Sequence, residues 1–291
     1  MKVLITGGRG FLASHLLKHL GEHDLAVISR SGKSLKHCQQ VFTNFEQAAS
    51  FKPEVVINLA GASLFDQRWS DKRRLEMYQS RVDYTQKLLA TLASRGALPS
   101  TLISGSAVGF YGDQGNQTIT EANASGNDWS AKLCANWESQ ALAYSNRVRV
   151  CVVRTGLVMH PSGGAMAPLM TPAKLGLLGP FGKGDNYWPW IALKDWLNAV
   201  TFLINQPTCQ GAFNLTAPMP ETQKDFLKQL SKSLSRPSFF AIPSPAVNIL
   251  LGSDRAELLM ASQRVSPSRL LDAGFEFVYT NANSMLEAYA K

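Results

Sequence analysis

The most constraining feature of this sequence is a glycine-rich turn that follows an apolar segment at the start of the chain. Lys2–Thr6 is predicted to be a short buried strand, and residues 14–20 carry apolar side chains at helical spacing. Between them, Gly7, Gly10 and Ala13 stand at the spacing G-x-x-G-x-x-A. A strand that enters a helix through such a turn predicts the first unit of a doubly wound parallel sheet.

Strands and helices continue to alternate beyond this unit. Further strands are predicted at residues 25–29, 41–42, 53–61, 100–106 and 148–154, and helices at 71–95, 131–144, 194–205 and 222–234. Apolar strands separated by helices indicate a parallel sheet covered on both faces. We therefore predict an α/β fold with a Rossmann-type domain over residues 1–155, which strands from the later chain rejoin. A smaller C-terminal α/β substrate lobe is predicted mainly within residues 156–291.

The small residues of the turn predict a dinucleotide site. Gly7 permits the tight turn, Gly10 lets the backbone approach a pyrophosphate, and Ala13 keeps the helix close to the sheet. The N-terminus of the helix faces the phosphate charge. The residues expected to contact the cofactor are Gly7, Gly10, Phe11, Leu12, Ser29, Arg30, Ser31, Leu59, Ala60 and Gly61.

The end of the second strand indicates which dinucleotide binds. An acidic residue there would accept a hydrogen bond from the ribose 2′-hydroxyl of NAD(H), but Ser29, Arg30 and Ser31 stand at this place. Arginine pairs well with a phosphate, so NADP(H) is favoured over NAD(H). A solvent-facing arginine is the alternative interpretation. Asn44 is positioned either to reach the adenine or to serve as an ordinary loop residue.

Composition excludes several other classes of protein. The net charge of +8 is spread over short basic runs without interleaved aromatic residues, so a nucleic-acid partner is not expected. Apolar runs are much shorter than the ~20 residues of a membrane helix. Four cysteines without a C-x-x-C pair indicate reduced thiols in the cytoplasm, with no metal site. The sequence does not indicate an oligomeric state.

Four motifs carry a resemblance to a known family. They are Thr6-Gly-Gly-Arg-Gly-Phe, Asn58-Leu-Ala-Gly, Ser104-Gly-Ser-Ala-Val-Gly-Phe-Tyr-Gly and Trp190-Ile-Ala-Leu-Lys-Asp. Through them the whole chain resembles the extended short-chain dehydrogenase/reductase family. The resemblance implies a Rossmann domain, a small substrate lobe, a nicotinamide dinucleotide and a small-molecule substrate.

Further motifs make the resemblance narrower. They are Arg68-Trp69, Ser80-Arg81-Val, Lys132-Leu-Cys-Ala-Asn-Trp-Glu, Arg154-Thr-Gly and Gly274-Phe-Glu-Phe. With these the chain is similar to an atypical branch, the bacterial epimerase family proteins of the YfcH-like group. Some relatives carry a cell-division-inhibitor label, which implies a regulatory alternative to catalysis.

The resemblance also implies a catalytic set. The family uses a Ser or Thr with a Tyr-x-x-x-Lys pair, in which the lysine lowers the tyrosine pKa for proton transfer. Ser106 and Lys132 match, and Lys132 is also expected to contact the cofactor, but Asp128 stands where the tyrosine belongs. Asp128, Tyr111 or a water held by Ser106 and Lys132 are the candidate replacements. Asp128 is equally interpreted as a helix N-cap.

The substrate lobe departs from the family pattern as well. Trp188 occupies the place of an arginine that binds the diphosphate of nucleotide-sugars in relatives, and the Pro243-Ser-Pro-Ala stretch, after a strand at residues 238–242, replaces a second one. An indole lacks the arginine fork, so a nucleotide-sugar substrate is not expected. Aromatic and methionine side chains suggest an apolar or planar substrate, or else they pack the lobe: Trp69, Met166, Met170, Phe181, Tyr187, Trp188 and Trp190.

Two functions follow from these observations. The first is an NADP(H)-dependent, epimerase-like oxidoreductase that acts on a small carbonyl or carbinol compound. The second is a catalytically weak NADPH-binding sensor or regulator, which the missing tyrosine favours.

Overall fold

Strands and helices alternate through the first half of the chain, as the sequence predicts. A computed structural model describes residues 1–238 and 241–290, so Phe239 and Phe240 of the strand expected at 238–242 lie outside the described residues. The strands are β1 (Lys2–Thr6), β2 (Asp24–Ile28), β3 (Gln40–Phe42), β4 (Val55–Asn58), β5 (Thr101–Ala107), β6 (Thr118–Ile119), β7 (Arg149–Thr155), β8 (Leu157–His160), β9 (Gly163–Gly164), β10 (Tyr187–Trp188), β11 (Trp190–Ala192), β12 (Gly211–Leu215), β13 (Glu221–Thr222) and β14 (Arg264–Val265).

Some helices pack on the central sheet and the others lie in the smaller lobe. They are α1 (Phe11–His19), α2 (Phe45–Ser50), α3 (Asp71–Tyr78), α4 (Tyr84–Ser94), α5 (Trp129–Leu142), α6 (Ala167–Lys174), α7 (Leu193–Asn205), α8 (Gln223–Ser233), α9 (Ser244–Leu251), α10 (Ser253–Met260), α11 (Ser268–Asp272) and α12 (Ala282–Ala290). In the described ranges, none of the helices has the length and apolarity needed to cross a bilayer.

Seven parallel strands form the central sheet in the order β12-β7-β5-β4-β1-β2-β3. Val3, Leu4 and Ile5 of β1 are completely buried, because helices cover both faces of the sheet. The order of the strands reverses beside β1, and ligands of such sheets bind in the crevice outside the carboxyl ends at that point. The predicted Rossmann-type fold is confirmed.

Two helical layers enclose this sheet. Helices α1, α7 and α11 pack on one face through residues such as Leu16 and Trp196, and α2, α4 and α5 pack on the other through residues such as Leu88. Both β12 and α7 come from the later half of the chain. The sheet is therefore completed by segments that lie far from its first strand in sequence.

The smaller lobe is built around a buried aromatic cluster. Trp188 and Trp190 are 3% and 1% exposed and pack against Phe226 of α8. The Trp188 indole donates a hydrogen bond to the backbone oxygen of Leu259 at 3.2 Å. Packing of the lobe, rather than contact with substrate, is thus the role of these two indoles.

One predicted helix is interrupted. The sequence predicts a continuous helix over residues 71–95, whereas α3 and α4 are joined by a π-turn at Gln79–Asp83. A π-turn adds a residue to the helical turn and rotates the side chains that follow it, and such turns are frequent at functional sites. Here it directs Ser80 to the loop after β4, where the Ala62 N–H donates to the Ser80 hydroxyl at 2.9 Å.

Candidate functional site: a dinucleotide cleft

The glycine turn after β1 has the conformation that its sequence predicts. Gly7 has φ +70°, and a Cβ atom there would lie 2.7 Å from the backbone oxygen of Leu59. The Gly10 N–H donates to the Gly7 oxygen at 2.8 Å, which closes the turn. Only glycine fits at position 7, because any other residue would have a strained backbone and its side chain would collide with the neighbouring loop.

The N-terminus of α1 is open. Gly10 is the N-cap residue, in an extended conformation, and no side chain caps the helix. The first N–H groups of a helix have no partner within it, and together with the helix dipole they attract an anion. Phe11 and Leu12 begin this helix. The geometry fits the pyrophosphate of a dinucleotide.

Thr6 fixes the loop that faces this turn. Its hydroxyl donates to Asn58 Oδ1 at 2.7 Å and accepts hydrogen bonds from the N–H groups of Leu59 and Ala60 at 3.1 Å. Asn58 in turn donates to the Thr85 hydroxyl of α4. The loop after β4 is therefore held rigidly against β1, at the edge where the cofactor is expected.

The glycine turn and the loop after β4 line a cavity of about 810 Å³. Eight of the ten cofactor contacts predicted from the turn and strand ends line it, namely Gly7, Gly10, Ser29, Arg30, Ser31, Leu59, Ala60 and Gly61. Phe11 and Leu12 are partly buried beside it in the first turn of α1. The structure thus brings the turn, the end of β2 and the loop after β4 to one cleft.

Sequence reasoning missed Arg9. This arginine lies within the glycine turn, and its Nε donates to the Ser31 hydroxyl at 3.0 Å and approaches the Ser29 hydroxyl at 3.4 Å. Arg30 is exposed beside them. Two guanidinium groups and two hydroxyls consequently surround the end of β2. The position of a basic residue inside the glycine motif is the sequence feature that could have identified Arg9 as a contact of the cofactor phosphate.

Asn44 has a structural role at this end of the cleft. Its Oδ1 accepts a hydrogen bond from the Gln47 N–H at 2.8 Å and thereby caps α2. Asn44 also lines the cavity. The cap therefore engages the Asn44 side-chain oxygen, which cannot use the same lone pair to contact adenine.

Ser106 points into a buried polar network. Its hydroxyl donates to Glu138 Oε1 at 2.6 Å, and Glu138 forms a two-pronged ion pair with Arg154 at 2.9 and 2.8 Å. Glu138 and Arg154 are 4% and 5% exposed. The Ser106 hydroxyl is thus hydrogen-bonded to a buried carboxylate, and it cannot donate the same proton to a ligand while this bond is in place.

Tyr111 belongs to the same network. It is completely buried, its hydroxyl donates to Asn214 Oδ1 at 2.7 Å, and it accepts a hydrogen bond from Arg154 at 2.9 Å. Burial raises the pKa of the Tyr111 phenol, although Arg154 partly opposes this shift. Proton donation by Tyr111 to a ligand would require this network to open.

The expected grouping of Lys132 with Ser106 is not found. Lys132 is exposed on α5, whereas Cys134 is buried in hydrogen-bonding contact with Ser106. Residues two apart on an α-helix point about 200° away from each other, so both cannot face the cleft. Burial raises the pKa of the Cys134 thiol to about 12, which keeps it protonated at neutral pH.

Asp128 caps α5. The Ala131 N–H donates to Asp128 Oδ1 at 2.8 Å, and Asp128 also lines a second cavity. We expect Asp128→Ala to lower the free energy of unfolding by about 0.5–2 kcal/mol, since the helix loses its cap. Urea denaturation measures this change. Asp128→Asn is the matched control because asparagine also caps; an equal loss in both variants would contradict the capping role.

The second cavity has a volume of about 980 Å³ and lies between α5, the loop after β5 and the α9–α10 pair. Arg74 of α3 forms an ion pair with Asp254 of α10 at 2.5 Å, and this pair joins the walls. Trp69 and Trp129 supply aromatic surface, with ring centroids 5.0 Å apart. Of the aromatic and methionine residues suggested from the lobe, only Trp69 lines this cavity.

Carboxylates outnumber cations around this cavity. The charged residues that line it are Arg74, Asp113, Asp128, Asp254 and Glu257. Of the predicted catalytic residues, Tyr111 and Asp128 contribute to its walls, whereas Ser106 and Lys132 contribute to neither cavity. The acidic lining repels a ligand with several negative charges.

Comparison with known proteins agrees with this arrangement. Residues 3–215 match the NAD dependent epimerase/dehydratase family. The chain belongs to this family. Residues 242–289, which include α9 and α10, match a domain of unknown function, DUF1731. The matched family thus covers the sheet and the glycine turn, and the DUF1731 segment supplies one wall of the larger cavity.

Relatives within the epimerase/dehydratase family match along nearly the whole chain. An epimerase family protein of Mycobacterium bovis is 32% identical over 290 residues, which cover 98% of this chain and 96% of that protein. A chloroplastic SDR39U1 homologue of Arabidopsis thaliana is 32% identical over 304 residues, which cover 99% and 86%.

Solved structures of epimerase family members share the fold. The human epimerase family protein SDR39U1, determined with NADPH, has a TM-score of 0.90 and 27% identity, and the match covers 100% of this chain and 99% of that one. A Thermus thermophilus UDP-glucose 4-epimerase in complex with NAD has a TM-score of 0.77 and 18% identity, with coverage of 100% and 99%. The second likeness concerns the fold alone.

Proposed function

We propose that the protein is an NADP(H)-dependent, epimerase-like oxidoreductase that acts on a small carbonyl or carbinol compound. The observation that carries this proposal is the pair Arg9 and Arg30 beside the hydroxyls of Ser29 and Ser31. Guanidinium groups match the charge and geometry of a 2′-phosphate, whereas the acidic residue that would accept a hydrogen bond from the 2′-hydroxyl of NAD(H) is replaced directly after β2 by Ser29, Arg30 and Ser31. The human relative solved with NADPH supports the same choice.

The described residues suit this cofactor in three ways. The open N-terminus of α1 accepts the pyrophosphate, the absence of a side chain at Gly10 permits close approach, and Thr6 holds the loop of Leu59 and Ala60 in place. When bound, the reduced nicotinamide supplies the hydride for carbonyl reduction. Rigid loops orient the cofactor without having to be ordered on binding.

Cofactor preference tests the proposal. We expect NADPH to bind more tightly than NADH by about 1.5–3 kcal/mol, the range for hydrogen bonds to charged groups. Arg9→Ala and Arg30→Ala should each reduce this difference, and the double variant should abolish it. Calorimetric titration of each protein with both cofactors measures the effect.

Lys36→Ala is the control, because Lys36 is exposed further along the same loop. Its preference for NADPH should equal that of the wild type. Equal affinities of the wild type for NADPH and NADH would refute the assignment, as would an undiminished preference in the double variant.

We further propose that nucleotide-sugars are not substrates. Trp188, at the place of the diphosphate-binding arginine of relatives, is buried in the lobe and offers no cation. The larger cavity carries Asp113, Asp128 and Glu257, whose charges oppose a diphosphate. A thermal-shift screen of the NADPH-loaded protein should therefore show stabilisation by small carbonyl compounds and none by UDP-sugars.

A regulatory NADPH-binding role is the second candidate. It is favoured by the engagement of Ser106 with Glu138 and by the exposed position of Lys132, which leave no Ser-Tyr-Lys set in the cleft. Saturable NADPH binding without turnover of aldehydes, ketones or quinones would support this role over catalysis.

Two finer assignments belong to the same proposal. Membership of the YfcH-like group is supported by the motifs around Arg68, Ser80 and Arg154. A cytoplasmic location is supported by free thiols at Cys38, Cys134, Cys151 and Cys209, which persist in a reducing compartment.

A further inference from the structure

The larger cavity, between α5, the loop after β5 and the α9–α10 pair, contains carboxylates that no cation neutralises. Arg74 is the one cation in the lining that the structure describes, and its guanidinium is already paired with Asp254. Asp113, Asp128 and Glu257 also line the cavity, and none of the three forms an ion pair with another described residue. The lining therefore has a formal excess of negative charge.

Two of these carboxylates are held in place and keep one oxygen free for a ligand. Asp113 Oδ1 accepts a hydrogen bond from the Gly115 N–H at 3.0 Å, and Asp128 Oδ1 accepts one from the Ala131 N–H at 2.8 Å. The Oδ2 atom of each residue has no hydrogen-bond partner in the described ranges. Because the backbone bonds orient both groups in advance, a ligand does not have to order them on binding.

Gln263 adds a buried acceptor to the same wall. It is 6% exposed and lines the cavity, and its Nε2 donates to the backbone oxygens of Val108 and Gly112 at 3.1 and 2.8 Å. Both partners can only accept, so they identify the nitrogen of the amide and leave Oε1 as its remaining polar atom. Oε1 has no hydrogen-bond partner within residues 1–238 and 241–290. A buried acceptor at a cavity wall indicates a ligand with a hydrogen-bond donor.

The same cavity contains an aromatic pair. Trp69 and Trp129 both line it, both are partly exposed, and their ring centroids lie 5.0 Å apart. The Trp69 indole N–H is already bonded to the Leu64 backbone oxygen at 2.8 Å, so this ring offers a ligand its apolar faces. Indole faces pack against planar apolar groups and attract cations. The cavity thus combines an aromatic surface with free acceptors.

We infer that the larger cavity binds a substrate that carries a protonated amino group, an inference that rests on the proposed NADP(H)-dependent function. An ammonium group supplies both the positive charge and the N–H donors that the free carboxylate oxygens and Gln263 Oε1 lack. The tryptophan pair accommodates an apolar or planar body. The substrate class is therefore a small carbonyl or carbinol compound with an amine, such as an aryl ketone that carries an aminomethyl group.

Three para-substituted acetophenones of similar size test this inference. One carries an aminomethyl group, which is cationic, one carries a neutral hydroxymethyl group, and one carries a carboxylate. Each is titrated calorimetrically into the protein loaded with NADP⁺, which cannot reduce a ketone. The aminomethyl ketone should bind about tenfold or more tightly than the hydroxymethyl ketone, because its hydrogen bonds are made to charged groups. The carboxylate should bind most weakly, since the lining repels it.

The double variant Asp128→Asn with Glu257→Gln removes two charges and keeps the shape of the cavity. It should lose most of the preference for the aminomethyl ketone, with an unchanged affinity for the hydroxymethyl ketone. The fold should persist, because asparagine also caps α5 and Glu257 is exposed. Glu276→Gln is the matched control, since Glu276 is exposed and lines neither cavity, and its affinities should equal those of the wild type.

Several results would overturn the inference. Equal affinities of the wild type for the aminomethyl and hydroxymethyl ketones, no binding of the aminomethyl ketone, tightest binding of the carboxylate, or an undiminished preference in the double variant each does so. Failure of the wild type to bind NADP⁺ and NADPH refutes the proposed function separately. Titration of the cofactor-free protein with the three ketones then still decides whether the cavity selects an amine.

Discussion

Arg154→Met is expected to lower the free energy of unfolding by about 3–5 kcal/mol, because it leaves the buried Glu138 carboxylate without its cation. Glu138 and Arg154 are joined by two hydrogen bonds of 2.9 and 2.8 Å. Arg154 also donates to the buried Tyr111 hydroxyl. The single substitution therefore removes the cation from a buried carboxylate and one of the two hydrogen bonds of the Tyr111 hydroxyl. Urea denaturation followed by circular dichroism measures the change.

The double variant Arg154→Met with Glu138→Leu is the control for this prediction. Removal of both charges should restore a large part of the lost stability, since a buried ion pair is often replaced by apolar residues at little cost. A single variant within about 1 kcal/mol of the wild type would show that the network tolerates an unpaired carboxylate. Equal losses in both variants would instead assign the effect to packing of the side chains against Phe110, whose ring centre lies 3.5 Å from Arg154 Cζ.

Gly10→Val is expected to weaken NADPH binding by on the order of a hundredfold or more, because a side chain blocks the approach of the pyrophosphate to the backbone. The fold should persist. Gly10 has φ −70° and ψ 157°, a conformation that valine adopts, and its Cβ would meet only the Gly7 oxygen, at 3.1 Å. The expected loss of stability is about 1 kcal/mol, the scale of a poorer N-cap. Calorimetry and thermal unfolding measure the two effects separately.

Gly21→Val provides the matched control beyond the C-terminal end of α1. Gly21 is exposed, and a Cβ there would make its closest contact with the Lys18 oxygen at an ordinary 3.4 Å. NADPH affinity should therefore be unchanged. Retained affinity in Gly10→Val would remove the glycine turn from the binding site, whereas loss of affinity in Gly21→Val would indicate a general effect of valine on α1.

The local pattern of apolar residues and glycines was sufficient to predict the parallel sheet and the glycine turn. The apolar strand Lys2–Thr6, the conformation required of Gly7 and the helix that follows are encoded by neighbouring residues, so the first unit and the parallel sheet follow from the sequence. The end of β2 lies next to this unit, and the cluster of Ser29, Arg30 and Ser31 at the cleft was likewise predictable.

The interior of the candidate site depended on contacts between distant segments. Ser106 meets Glu138 because α5 packs on β5. Tyr111 meets Asn214 across 103 positions of sequence because β7 pairs with both β5 and β12. Lys132 is exposed on α5 because burial of Cys134 and Trp137 sets the rotation of that helix. The π-turn is not indicated by any residue type in the sequence, and it brings the Arg81 guanidinium into contact with Gly61. The sequence alone determined the sheet and the glycine turn through local spacing, and tertiary packing decided which polar side chains face the cleft and which satisfy one another inside the protein.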